Sequence, residues 1–126
     1  MKAKELKIGD WVSFADVPVK VKDIKPKSVV LDISRFDDCM DKEGCAELGD
    51  IRPIPLTSEI LEKNGWKERK YSERIAYENG WYELFRVGQE GAWAFCHYDD
   101  FLTAIKHIHE LQHLLWALGM DDDLKI

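Results

Sequence analysis

The chain has 126 residues, 45% of them apolar and 33% charged, with 18 Lys and Arg against 24 Asp and Glu, for a net charge of −6. That length suits one compact domain, or two very small ones sharing a core, and the apolar fraction excludes wholesale disorder. The acidic balance argues against broad, phosphate-driven binding of DNA or RNA, and no apolar run approaches the roughly 18–20 residues needed to span a bilayer.

Residues 1–8 lack the uninterrupted apolar stretch of a secretory signal. Cys39, Cys45 and Cys96 form an odd set, so reduced thiols and a cytoplasmic location are expected. Cys39 and Cys45 are spaced too widely for a zinc knuckle. The first thirty residues hold seven Lys against four acids, which makes a mildly basic segment in an acidic chain. A solvated surface is the better reading of that segment, and weak nucleic-acid binding through it is a further alternative.

Residues 10–14, 17–21 and 28–33 are β-branched or aromatic with partial alternation, and read as short strands. Gly9-Asp10 and Lys25-Pro26-Lys27 supply turns between them. Strands this short suit a small, strongly bent sheet or SH3-like barrel. Residues 34–49 are acidic and aperiodic and read as a loop, after which 47–52 is expected to close the sheet. Asp37, Asp38, Asp41 and Glu43 precede Gly44, but their spacing misses the calcium-loop pattern. Pro53 and Pro55 end the sheet. A short helix follows, capped by Thr57 or Ser58 and stopped at Asn64-Gly65.

Strands then resume at 66–71, 74–78, 81–87 and 92–98, with Asn79-Gly80 as a hairpin turn. The 81–87 strand has apolar groups on both faces and is expected to be central. From 99 to 118, Phe101, Ile105, Ile108, Leu111, Leu115 and Leu118 recur at helical spacing, so a long helix is expected, capped by Asp99 or Asp100 and ended by Gly119. The fold class is therefore α+β. An SH3-like β subdomain over 1–55 precedes a short helix, antiparallel hairpins and a long helix over 56–126, as two units or one continuous domain.

One motif could carry chemistry. His109-Glu110-Leu111-Gln112-His113 matches H-E-x-x-H, in which two histidines on one helical face bind zinc and the Glu serves as general base. A catalytic zinc needs a third protein ligand, and the extended metzincin pattern is broken by Trp116 and Gly119. Only 13 residues follow His113 (126 − 113), which leaves Asp121, Asp122 or Asp123 to fold back, or Cys96 or His97 to reach across. The helical wheel places Gln112 near the middle of the apolar stripe, His109 at its edge, His113 just beyond, and Glu110 toward water. His109 and Gln112 thus read as semi-buried polar residues tying the helix to the sheet. On this reading there is no catalytic residue, metal or other cofactor. Zinc on His109 and His113, with Glu110 as base, is the alternative. His107 and His109 are two apart and do not share a helical face. Trp11, Trp66, Trp81, Trp93 and Trp116 are expected to fill the core rather than form a stacking platform.

Three segments together, LKIGDWV at 6–12, PIPLTSEILEKNGW at 53–66 and IHELQHL at 108–114, resemble a family of small uncharacterised proteins. Those proteins are encoded in Bacteroides-type gut anaerobes, often in prophages and conjugative elements. The resemblance implies no activity. Relatives read H-Q-L-Q-N at 109–113, so Glu110 and His113 are departures, while His109, Leu111 and Gln112 are retained. That pattern implies packing or docking. The expected function is a non-enzymatic accessory or adaptor protein working through contacts with a protein partner. A minimal zinc protein or peptidase is the runner-up.

Overall fold

Runs of β-branched and aromatic residues broken by tight turns give a mixed α+β fold of two five-stranded antiparallel sheets and two helices. The computed structural model describes residues 1–36, 42–72, 74–88 and 90–126, so Cys39, Asp37, Asp38 and Asp41 lie outside the described residues. In the first sheet β1 (Trp11–Phe14), β2 (Val17–Ile24), β3 (Ser28–Asp32) and β4 (Glu43–Glu47) form a meander. After a 3-10 turn at Leu48–Asp50, β5 (Ile51–Pro53) returns to pair with β1, for the order β4-β3-β2-β1-β5. The sheet is thus completed on the far side by part of 47–52. The end strands β4 and β5 do not pair with each other, so among the described residues the sheet stays open and forms no closed barrel.

β4 corrects the loop expected over 34–49. Its residues have little β-propensity of their own, and the strand is made by its register against β3, with Val29 opposite Ala46. Val12, Val19, Val21, Val29, Leu31 and Ile51 form the core of this sheet. Successive strand residues point to opposite faces, and β1 uses both: Val12 enters this core, while Trp11 enters the other.

The second sheet is a plain meander preceded by α1 (Ser58–Lys63). The Thr57 side chain caps that helix by accepting from the Ile60 amide at 3.3 Å, and Gly65 ends the segment at φ +85°. β6 (Lys67–Lys70), β7 (Ile75–Asn79), β8 (Tyr82–Val87), β9 (Ala92–His97) and β10 (Asp100–Ile105) follow, in the order β10-β9-β8-β7-β6. β8 is central, as its two apolar faces require.

The long helix expected over 99–118 is a strand and a shorter helix, α2 (Ile108–Ala117). Phe101 and Ile105 match helical spacing, but the segment gains cross-strand partners on β9 at every position except Leu102, where the register shifts. Phe101, assigned to the buried stripe, is consequently 62% exposed. Asp99 and Asp100 cap nothing, because α2 starts after His107.

The hairpin between β7 and β8 is also displaced by one residue. Asn79 pairs with Tyr82, so the turn is Gly80-Trp81, with Gly80 alone at positive φ, +62°. The turn between β9 and β10 is Tyr98-Asp99, with Tyr98 at φ +54°, a conformation that costs a bulky residue about 1–2 kcal/mol. α1 and α2 cover one face of the second sheet, where Leu61, Ile108, Leu111 and Leu115 meet Leu84, Trp93 and Phe95. Among the described residues no helix is long and apolar enough to cross a membrane.

Candidate functional site

The HELQH segment forms the first half of α2, and it borders an open cleft of about 500 Å3 between that helix, the end of β10 and the 3-10 turn at Ala3–Glu5. His107, His109, His113, Glu110 and Lys106 line it. Ring centroids lie 5.8 Å apart for His107 and His109, and 5.6 Å apart for His109 and His113. Helical spacing explains the second pair, and the extended N-cap geometry of His107 explains the first.

Each polar residue of the motif has a separate task. Glu110 Oε1 accepts from the backbone amides of Lys106 (3.2 Å) and His107 (3.1 Å) and from His107 Nδ1 (2.8 Å). It neutralises amide groups that the start of a helix leaves without partners, and its charge suits the positive end of the helix dipole. The wheel had turned Glu110 toward water. It does face outward, but back onto the helix's own end.

His113 Nε2 lies 2.7 Å from Asp10 Oδ2, and the same oxygen accepts from the Lys7 amide at 2.8 Å. Asp10 is only 2% exposed, so this ion-pairing group sits between the two halves of the fold. Gln112 ties α2 to two other segments: its Oε1 accepts from the Trp11 amide at 2.9 Å, and its Nε2 donates to the carbonyls of Gly9 (3.0 Å) and Asp122 (3.2 Å).

His109 differs from these. It is 6% exposed, and its Nδ1 is the one buried side-chain nitrogen or oxygen among the described residues that has no hydrogen-bond partner. It therefore does not supply, through Nδ1, the tie to the sheet expected of it. Burial holds its imidazole below the usual range, against the opposite pull of Asp10 and Glu110, while His113 and His107 add to the lowering.

The unfolded chain protonates His109 near pH 6.5, whereas the folded chain resists until its lower value is reached. Stability is therefore full above about pH 6.5 and is lost as pH falls from there through the folded pKa. His109→Leu is expected to change stability by less than about 1 kcal/mol at pH 8, since no Nδ1 bond is lost, and to flatten this acid limb. Urea melts from pH 5 to 8 measure it; an acid limb equal in both proteins would rule out the assignment.

The remaining candidate ligands are elsewhere. His97 and Cys96 sit at the Tyr98 end of the β9–β10 hairpin, opposite the end that leads to His107. Burial pushes the Cys96 thiol up, with Glu83 adding to it. The 121–123 segment does fold back, but Asp122 contributes its carbonyl, Asp123 pairs with Lys20, and Asp121 accepts from the Asp123 amide. Among the described residues no three His, Cys, Asp or Glu side chains are grouped to hold a metal ion. Of the five tryptophans, Trp11, Trp66 and Trp93 are buried, whereas Trp81 and Trp116 are 64% and 61% exposed. Comparisons with protein-family models, curated proteins and solved structures return no match to the chain.

Proposed function

We propose that the protein is a non-enzymatic accessory or adaptor protein of a phage or other mobile element, working in the cytoplasm through protein contacts. The observation that carries this reading is the position of Glu110. The carboxylate that a zincin would direct at a metal-bound water accepts three hydrogen bonds at the start of α2. His113 is likewise engaged by Asp10, and Gln112 by three backbone groups. HELQH thus serves as a lock between helix, first sheet and the 121–124 segment.

The strand order of the first sheet supports an SH3-like relationship: a four-stranded meander, a 3-10 turn, then a fifth strand beside the first. Folds of this kind host many functions, so the role has to be argued from the surface. That surface carries Trp81, Tyr98, Phe101 and Leu102, all exposed and all at or next to the turns at one end of the second sheet. Grouped apolar exposure of this sort marks contact sites. The mobile-element assignment rests on the three segments at 6–12, 53–66 and 108–114, and the cytoplasmic one on the free thiols of Cys45 and Cys96. The lysine-rich N-terminal segment is a poorer nucleic-acid surface than its composition suggests, because Lys20 pairs with Asp123 and Lys7 lies over the Trp116 ring.

Three measurements test the reading. Protein purified without an affinity tag is expected to hold less than about 0.2 zinc per chain and to melt at the same temperature with and without chelator. Glu110→Ala is expected to cost about 1–2 kcal/mol, the loss of a helix cap. Stoichiometric zinc with a chelator-sensitive melt would replace the adaptor by the zinc protein. A photo-crosslinking residue at position 101, at native expression level, is expected to give one dominant protein adduct. Recovery of unmodified chain alone rejects the adaptor role.

A further inference from the structure

We infer that the two hairpin tips at one end of the second sheet form a cleft for an arginine side chain carried on a basic segment of a partner protein. The inference takes the existence of a partner from the adaptor reading, while its chemistry stands on the cleft itself.

The tips are Gly80-Trp81 and Tyr98-Asp99, tied together by the Tyr98 amide donating to the Trp81 carbonyl at 3.0 Å. Their rings lie 5.1 Å apart, with Trp81 64% and Tyr98 54% exposed. Together with Tyr71, Arg69 and the carboxylates of Glu78, Glu83 and Asp99 they line a cleft of about 430 Å3, in which Arg69 lies over the Tyr71 ring. Neither aromatic belongs to a core. Tight turns favour Gly, Asn and Asp, and Tyr98 occupies its turn at positive φ, +54°, without entering a core.

Other rings in the chain already carry cations. Lys7 Nζ sits 3.0 Å from the Trp116 centroid, and the Arg74 guanidinium lies 4.0 Å from that of Phe85 and 5.2 Å from that of Tyr71. Among the described residues no cation lies over Trp81 or Tyr98. The carboxylates show the same asymmetry. Glu78 pairs with Arg69 at 3.2 Å, and Glu83 accepts the Tyr71 hydroxyl, whereas Asp99 has no ion pair or side-chain hydrogen bond among the described residues.

Two exposed rings that carry no cation, packed on each other and with Tyr98 also against His97, stand beside an unpaired carboxylate and are complementary to a cation. A guanidinium fits better than an ammonium, because its plane stacks on a ring while its N–H edge reaches a carboxylate in bidentate fashion. The charge of the lining agrees: it holds the carboxylates of Glu78, Glu83 and Asp99 against one cation, Arg69, which is already paired with Glu78. Phe101 and Leu102, 62% and 49% exposed, follow the Tyr98-Asp99 turn on β10 and can cover the aliphatic parts of neighbouring partner residues.

The test is an NMR titration of the full chain with acetyl-tetra-arginine amide, and with tetra-glutamate as control, at low ionic strength. The arginine peptide is expected to shift the Trp81 indole N–H and the Asp99 amide saturably, with binding that weakens as salt rises. Trp81→Ala is expected to weaken it about tenfold and Asp99→Asn about threefold. Tyr98→Gly is expected to lose about tenfold in affinity while raising the melting temperature, since it relieves the positive φ. That pairing separates a lost site from a lost fold. No saturable shift at about 10 mM peptide, equal shifts with tetra-glutamate, or undiminished binding by Tyr98→Gly would overturn the inference. Such a failure alongside a photo-adduct at position 101 removes the arginine cleft alone. Peptide binding that follows the expected pattern without any adduct upholds the cleft and removes the adaptor role.

Discussion

Gln112→Ala is expected to lower stability by about 3 kcal/mol, and the midpoint of thermal unfolding by about 10 °C, although the residue touches no proposed ligand. The cost comes from what the substitution leaves behind. The Trp11 amide and the Gly9 carbonyl would lose their partner in a site where Gln112 is 3% exposed, at about 1–3 kcal/mol each, whereas the Asp122 carbonyl keeps the Leu124 amide. Gln112→Met keeps the volume and is expected to recover little, which separates hydrogen bonding from packing. Gln112→Glu retains an acceptor for the Trp11 amide, but turns a carboxylate toward two carbonyls and is expected to be no better than Ala. Urea unfolding followed by tryptophan fluorescence decides it. A loss below about 1 kcal/mol for Ala would mean that water replaces the three bonds. His109→Leu, a few ångströms along the same helix, is expected to be nearly neutral at pH 8, so the two changes bracket what burial of a polar residue is worth with and without partners.

How much of this was legible in the sequence differs from residue to residue. A glutamine at the centre of an apolar stripe must be hydrogen-bonded, and Gln112 is; but its partners at Gly9 and Trp11 lie 103 and 101 positions away, and no periodicity encodes that. The β-branched runs at 10–33 and the strands from 66 to 98 were readable because their pattern and their turns agree. Residues 99–105 were not, since Phe101 and Ile105 fit a helix as well as a strand, and only the free edge of β9 chooses between them. β4 was hidden for a related reason: Glu43–Glu47 becomes a strand through β3 and not through its own composition. At Glu110 a signal was present. His107 and Glu110 stand at the spacing of a capping box, with His in the place usually held by Ser or Thr, and that pattern marks the true helix start eight residues after Asp99. The exposed aromatic tips turned on one residue of register, which takes Trp81 out of its strand and into a turn.

The segment after α2 provides the second large effect. Leu124→Ala is expected to cost about 2–4 kcal/mol, an unusual figure for a stretch with no helix or strand. Leu124 is 5% exposed and belongs to the core of the second sheet, and its carbonyl accepts from Trp11 Nε1 at 2.7 Å. The neighbouring Lys125 exchanges two backbone-to-amide bonds with Asn64, at 2.8 and 2.7 Å, which fixes the segment against the end of α1. Shortening Leu124 therefore loosens both a cavity wall and the acceptor that orients the Trp11 indole. Trp11 belongs to β1 by backbone and to the second core by side chain, so the disturbance should cross from one sheet to the other. Two readouts follow. Trp11→Phe removes the indole donor and part of the ring, and with Leu124→Ala it is expected to be non-additive by about 1 kcal/mol, because the carbonyl that Leu124→Ala loosens is the one that Trp11→Phe leaves without its donor. Amide exchange at Val12, which faces the first core, is expected to quicken in Leu124→Ala even though Leu124 touches nothing there. Additive energies together with unchanged protection at Val12 would show that Leu124 acts only as a local plug and does not carry the coupling between the sheets.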